Sequence, residues 1–285
     1  MRLLIAVLAL CAVSLAACGS DNPRTTAAPS PTSTPRTSSA AAGCPSGSPT
    51  SPDVPGAPLK TLLRVPGAVR DRPAALIVAL HFATGSGAEM ERATGLTDEA
   101  EHAGFDVAYP TATSNGFWHP SDLPKLQQTI AAIEETACID RSRLYLLGMS
   151  NGGGMAALAA CRMADAVAAV ALFAPAVSAS DPCSPSRPVS VLEVHGTADE
   201  LVPYAAGRTL IGAWAQRDGC SSSPTTTPTG DRAATLRWGG CDDDAAVEHL
   251  RLDRGRHIEL FPDLRAAGID PAVTAWRFLS PHRLG

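Results

Sequence analysis

From position 59 onward, short unbroken apolar runs alternate with longer amphipathic stretches. Residues 59–65 read as a strand, ended by Pro66-Gly67. Ala75-Leu76-Ile77-Val78-Ala79-Leu80 is apolar without interruption, which predicts a strand covered on both faces, as in a parallel sheet between helices. Residues 90–103 predict a helix before a short strand at 106–109, and 122–136 predict another before a strand at 143–147. A helix from Asn151 to about Met163 follows, then strands at 167–173 and 189–195. A helix at 205–217, a strand at 247–252 and a last helix at 270–279 complete the series. Strands alternating with helices predict an α/β fold: a doubly wound, mostly parallel sheet with helices on both faces and its site at the carboxyl ends of the strands.

The first 58 residues have a different pattern. Arg2 precedes an uncharged apolar run over 3–17, shorter than the ~20 residues a membrane-spanning helix requires. An export signal over 1–17 is the reading. Leu15-Ala16-Ala17-Cys18-Gly19 resembles the lipobox of bacterial lipoproteins, which implies cleavage before Cys18 and lipidation there; an ordinary secretory signal is the alternative. Residues 18–58 are dominated by Ser, Thr, Pro, Ala and Gly and have no aromatic residue. Such a segment buries too little apolar surface to fold and predicts a tether. The remainder, 59–285, has the size and apolar content of one domain. The expected location is outside the cell, on a membrane through a lipid on Cys18, or in the cell wall or medium.

Charge and cysteines narrow the picture. Lys plus Arg number 23 against 28 Asp plus Glu, with no basic tract, so nucleic acid is not an expected partner. Setting aside Cys11 and Cys18 leaves Cys44, Cys138, Cys161, Cys183, Cys220 and Cys241, an even number that predicts disulfides in an exported chain. None has Cys-x-x-Cys spacing, which gives a zinc or thioredoxin-like site little support. Cys220 with Cys241 is the favoured pair, and the other four stay unassigned.

The chemistry centres on Gly148-Met149-Ser150-Asn151-Gly152, a Gly-x-Ser-x-Gly run between a predicted strand and a predicted helix. That context is the nucleophile elbow of α/β-hydrolases, whose chain order is serine, acid, histidine. A serine hydroxyl needs a base to take its proton, and the base needs an acid to orient it. Asp199, just past the strand at 189–195, is the candidate acid, with Glu200 as its competitor. His257, on a loop after the strand at 247–252, is the candidate base. His195 and His249 belong to strands, His282 to the tail, and His102 and His119 precede Ser150, so they fit less well. Asn151 and Phe82 are the candidate backbone donors of an oxyanion hole.

Leu80-His81, the elbow Gly148-Met149-Ser150-Asn151-Gly152-Gly153, Val194-His195-Gly196-Thr197-Ala198-Asp199, Val202-Pro203-Tyr204 and Trp214-Ala215-Gln216-Arg217-Asp218-Gly219-Cys220 resemble the polyhydroxybutyrate depolymerase and feruloyl esterase family. The resemblance implies an α/β-hydrolase fold and a serine esterase without metal or cofactor. It implies hydroxyalkanoate, cinnamoyl or short acyl ester substrates, small or polymeric, with Ser150 as nucleophile, Asp199 as acid and His257 as base. Three places depart from the family pattern. Phe82 stands where glycine is usual, the stretch from Gly255 to Pro262 is longer and lacks a tryptophan, and 122–126 differ. A non-catalytic binding lipoprotein and a serine peptidase on the same fold are the rival readings.

Overall fold

The computed structural model describes Cys44, residues 53–177 and residues 183–285. The export signal, Cys18 and most of the tether expected over 18–58 lie outside the described residues; at its end Cys44 is bonded to Cys138, Asp53 bridges to Leu62 and Val54 is buried in the core, so that end belongs to the domain. The described chain forms one nine-stranded sheet flanked by helices. Its strands are β1 (Thr61–Arg64), β2 (Ala74–Leu80), β3 (Asp106–Pro110), β4 (Ile139–Met149), β5 (Ala169–Phe173), β6 (Ser190–Gly196), β7 (Thr225–Pro228), β8 (Ala233–Trp238) and β9 (Val247–Leu252). The sheet order is β1-β3-β2-β4-β5-β6-β9-β8-β7. Pairing from β3 through β9 is parallel, while β1 and the β7–β8 ribbon join antiparallel at the two edges.

Unbroken apolarity in β2 and β5 has the expected cause: every residue of both strands is buried. Because side chains alternate across a strand, Leu76, Val78 and Leu80 enter one core layer and Ala75, Ile77 and Ala79 the other. Strand β4 divides likewise, with Leu144 and Leu146 on the first side and Tyr145 and Leu147 on the second.

The helices are α1 (Gly87–Thr94), α2 (Leu96–Ala103), α3 (Leu123–Thr136), α4 (Asn151–Arg162), α5 (Tyr204–Arg217), α6 (Leu260–Ala266) and α7 (Pro271–Leu279). Three differences from the sequence reading have physical reasons. The helix expected over 90–103 is two helices, because Gly95 takes φ 74°, a left-handed conformation that ends one and begins the next. Strand β4 begins at Ile139, four residues early. Its first half carries Asp140, Arg141 and Arg143 and so gives no apolar pattern; Ile139 pairs with Ala74, and the register shifts before Leu144 meets Leu76. The β7–β8 ribbon was not expected, since all four residues of β7 are exposed and show no buried-strand pattern.

Cys220 is bonded to Cys241, tying the end of α5 to the connection between β8 and β9. The four unassigned cysteines pair as Cys44–Cys138 and Cys161–Cys183. Among the described residues, no helix is long and apolar enough to cross a membrane.

Asp106, the first residue of β3, is 1% exposed, and its Oδ1 has no hydrogen-bond partner. Burial pushes its carboxyl up from 3.8 to about 7. Between those values the folded chain holds a proton that the unfolded chain has lost, so stability falls as pH rises through that window. Asp106→Asn is therefore expected to melt higher than the parent at pH 8, the difference vanishing near pH 4. The limiting gain is ~4 kcal/mol at about 1.4 kcal/mol per pH unit; thermal melts of both proteins across pH 4–8 check it.

Candidate active site

Strand β4 ends at Met149 and α4 begins at Asn151, leaving Ser150 to turn the chain alone. It does so at φ 54°, ψ −119°, a conformation that costs a non-glycine residue roughly 1–3 kcal/mol. Three backbone bonds hold it there. Ser150 N donates to Phe173 O at 2.9 Å, and Ser150 O accepts from Gly154 N at 2.9 Å and Ala176 N at 2.8 Å. The two glycines of the elbow are needed for close approach. A Cβ on Gly148 would collide with Gly152 O, and one on Gly152 with the carbonyls of Leu80 and His81.

The residues singled out by sequence converge at the carboxyl edge of the sheet. Ser150 follows β4, Asp199 follows β6, His257 follows β9 and Phe82 follows β2. His257 Nε2 lies 2.8 Å from Ser150 Oγ, and His257 Nδ1 lies 2.7 Å from Asp199 Oδ2. The Asp199 carboxylate is an acceptor, so Nδ1 carries the proton and Nε2 accepts from the serine hydroxyl. The His257 and Asp199 side chains are 5% and 1% exposed, and Ser150 is buried.

Asp199 and His257 meet because their loops are bonded to each other. Thr197 N donates to Leu252 O at 2.9 Å, Ala198 N to Gly255 O at 3.0 Å and Arg254 N to Thr197 Oγ1 at 2.9 Å. Asp199 Oδ1 accepts from the N–H groups of Leu201 at 3.0 Å and Val202 at 2.7 Å, which fixes the carboxylate plane. Glu200, the competitor, instead accepts from the His257 backbone N–H at 3.4 Å. The departure after His257 is a helical one: α6 starts at Leu260, and its Phe261 packs on Phe173 with ring centres 5.1 Å apart.

The other histidines lie elsewhere in the network. His195 and His249 flank Glu193, His282 Nδ1 lies 3.1 Å from Ser190 Oγ, and His119 caps the turn before α3. His102 sits in the last turn of α2.

The two backbone-donor candidates differ in how they are placed. Asn151 opens α4, where an N–H has no acceptor within the helix and the helix dipole favours negative charge. Its side chain is committed elsewhere, accepting from Trp118 N at 2.7 Å and donating to Trp118 O at 3.0 Å. Phe82 follows His81, whose carbonyl is pressed against Gly152, so the next peptide lies beside the elbow. His81 Nε2 accepts from Ala112 N at 3.0 Å, which assigns the ring proton to Nδ1, bonded to Phe82 O at 2.7 Å. Burial keeps this imidazole below its ordinary value and hence neutral. Trp118 Nε1 closes the bracket by donating to His81 O at 3.0 Å. Sequence reasoning missed the parts played by His81, Trp118 and the Asn151 side chain, because local spacing carries no signal for bonds spanning 31 to 37 positions.

Among the described residues, the large apolar side chains left exposed are Phe117, Leu201 and Ile258. Each lies within two positions of Trp118, Asp199 or His257 in the chain.

The fold is that of the α/β-hydrolases. An acetyl xylan esterase from Aspergillus awamori superposes with a TM-score of 0.60 at 17% identity, covering 77% of this chain and 97% of that one. In sequence the chain is similar to feruloyl esterase B of Piromyces equi, 27% identical over 230 residues, 70% of this chain and 42% of the relative. It is also similar to feruloyl esterase C of Emericella nidulans, 27% identical over 192 residues, 63% of this chain and 70% of the relative. The chain thus spans less than half of the Piromyces enzyme's length. No family model matches the chain.

Gly152→Ala is expected to lower stability by ~2 kcal/mol or more, since the colliding groups are backbone carbonyls that cannot rotate away. A denaturant titration against the parent checks this.

Proposed function

We propose that the chain is an exported carboxylic ester hydrolase that works through Ser150, His257 and Asp199 and a covalent acyl-enzyme. The observation that carries the reading is the unbroken bond series Ser150–His257–Asp199 at an elbow whose serine is held in a strained conformation.

In this mechanism His257 Nε2 takes the proton as Ser150 Oγ attacks the ester carbonyl. Negative charge collects on the carbonyl oxygen, where the N–H groups of Asn151 and Phe82 stabilise it without reorganising. The tetrahedral intermediate collapses as His257 returns the proton to the leaving alkoxide. Water, deprotonated by the same ring, then releases the acid and restores Ser150. Asp199 remains ionised throughout and stabilises the imidazolium that forms at His257.

Two observations favour esters with an apolar or aromatic acyl group, the cinnamoyl class included. Several of the relatives in sequence are feruloyl esterases, and Phe117, Leu201 and Ile258 are exposed apolar residues within two positions of Trp118, Asp199 or His257 in the chain. The three disulfides suit an oxidising compartment outside the cytoplasm. Export by the signal over 1–17, lipidation of Cys18 and a tether within 18–58, fixed to the catalytic domain at Cys44 by its bond to Cys138, complete the proposal.

The test is intact-mass labelling of the oxidised, exported protein with a fluorophosphonate. One label per chain is expected, abolished by Ser150→Ala and by His257→Ala; a folded protein that takes no label is a binding protein, not a hydrolase. Asp199→Asn should lower kcat on an aryl ester by about 10⁴-fold, by imposing the wrong His257 tautomer. Turnover of peptides in preference to esters would replace the esterase reading with a peptidase.

A further inference from the structure

Beneath Asp199 lies a second set of ionisable groups that the mechanism above does not use. Glu193 on β6, His195 on the same strand and His249 on β9 are all 0% exposed. His195 Nδ1 is 2.8 Å from Glu193 Oε1. Its Nε2 is 2.9 Å from Val202 O and 3.2 Å from Asp199 Oδ2. The other Glu193 oxygen bonds His249 Nδ1, and His249 Nε2 lies 2.9 Å from the Tyr204 hydroxyl.

Donor counting decides the protonation state. The partners of His195 are two carboxylates and a carbonyl. A neutral imidazole has one N–H, so one of its nitrogens would present a lone pair to an oxygen in a site without water access. Placing the spare proton on Glu193 would relieve Nδ1, but Glu193 also faces His249, and two flanking N–H donors favour the ionised carboxylate. Burial opposes charge on both groups. The hydrogen bonds and the mutual attraction outweigh it, holding Glu193 below its ordinary value and His195 above.

We propose that His195 is an imidazolium held between Glu193 and Asp199, and that this buried ion pair positions the carboxylate that orients His257. The positioning role rests on the esterase reading; the protonation state does not. The Nε2–H reaches Asp199 and Val202 together and so pins both ends of the loop whose N–H groups of Leu201 and Val202 grip Asp199 Oδ1. Asp199 Oδ2 thus lies between two rings, His195 behind it and His257 in front.

The surroundings seal the pair. A Cβ on Gly207, inside α5, would collide with His195 Nδ1 and Glu193 Oε1, so the helix backbone lies directly on the pair. Glycine is unfavourable in a helix interior, and this close approach explains its presence. Tyr204 from α5 faces the pair, and Arg208, Arg251 and Asp253 act in turn on Tyr204. Arg251 is itself paired with Asp253 at 2.9 Å, and the Tyr204 ring stands edge-on to His195. The pair's contribution to stability is full between the ordinary values of Glu and His, 4.5 and 6.5. It declines below that window through the lowered Glu193 value and above it through the raised His195 value.

The test is ¹⁵N NMR of the histidine-labelled protein at pH 8, where an ordinary imidazole is neutral. His195, assigned as the signal lost in His195→Gln, is expected to show N–H couplings at both nitrogens, and Ser150→Ala should show the same pattern without any turnover. Glu193→Gln, nearly isosteric, should leave His195 with one N–H and lower kcat on an aryl ester tenfold or more with KM within twofold. A single N–H on His195 in the parent at pH 8 overturns the proposal, whether or not the variant folds. Full kcat in a folded Glu193→Gln protein overturns the positioning role. Failure of fluorophosphonate labelling with both His195 couplings present would refute the esterase reading and leave the imidazolium in place.

Discussion

The contact of backbone with backbone at the end of β4 is the constraint on which the rest of the structure depends. Gly148 meets the Gly152 carbonyl and Gly152 meets those of Leu80 and His81, with no side chain between them. That closeness permits a one-residue turn, and the turn forces Ser150 to φ 54°. It also draws the end of β2 against the elbow, so the loop carrying Phe82 starts beside it on the neighbouring strand. The parallel sheet is the scaffold that makes this possible. Its strands point the same way and release their loops on one edge, where residues far apart in sequence can meet.

Asp199 is the second junction. Its two oxygens accept from two backbone amides, from His257 and from a buried histidine beneath. A carboxylate in that position cannot rotate without losing several charge-assisted bonds at once, which is how a loop side chain acquires the rigidity of the strand that precedes it. The His195 layer extends that rigidity inward to β9 and α5, so Asp199 is supported by three elements rather than by its loop alone.

Much of this was legible in the sequence where one local rule governs the outcome. The buried strands announce themselves as unbroken apolar runs, and Ser150, Asp199 and His257 follow from the elbow motif and chain order. Gly95 was legible in principle, since a glycine between two amphipathic stretches is a helix terminator, yet the surrounding periodicity concealed it. The β7 strand was not legible, because an exposed edge strand of Thr and Pro owes its form to pairing with β8 and not to burial. His195 read correctly as a strand residue. Its charge was invisible, because that depends on Glu193 two residues back and on Asp199, Val202 and His249 brought to it by the fold.

The Cys44–Cys138 bond has a mechanical consequence. Strand β1 is the outermost on its side of the sheet, and tension applied upstream of it would peel it away one hydrogen-bonded pair at a time. The disulfide diverts that load. A pull on the chain ahead of Cys44 passes through sulfur to Cys138, directly before β4, a strand gripped by neighbours on both sides. The force therefore enters at the amino end of β4, the full length of that strand away from Ser150, and the weak edge is left slack.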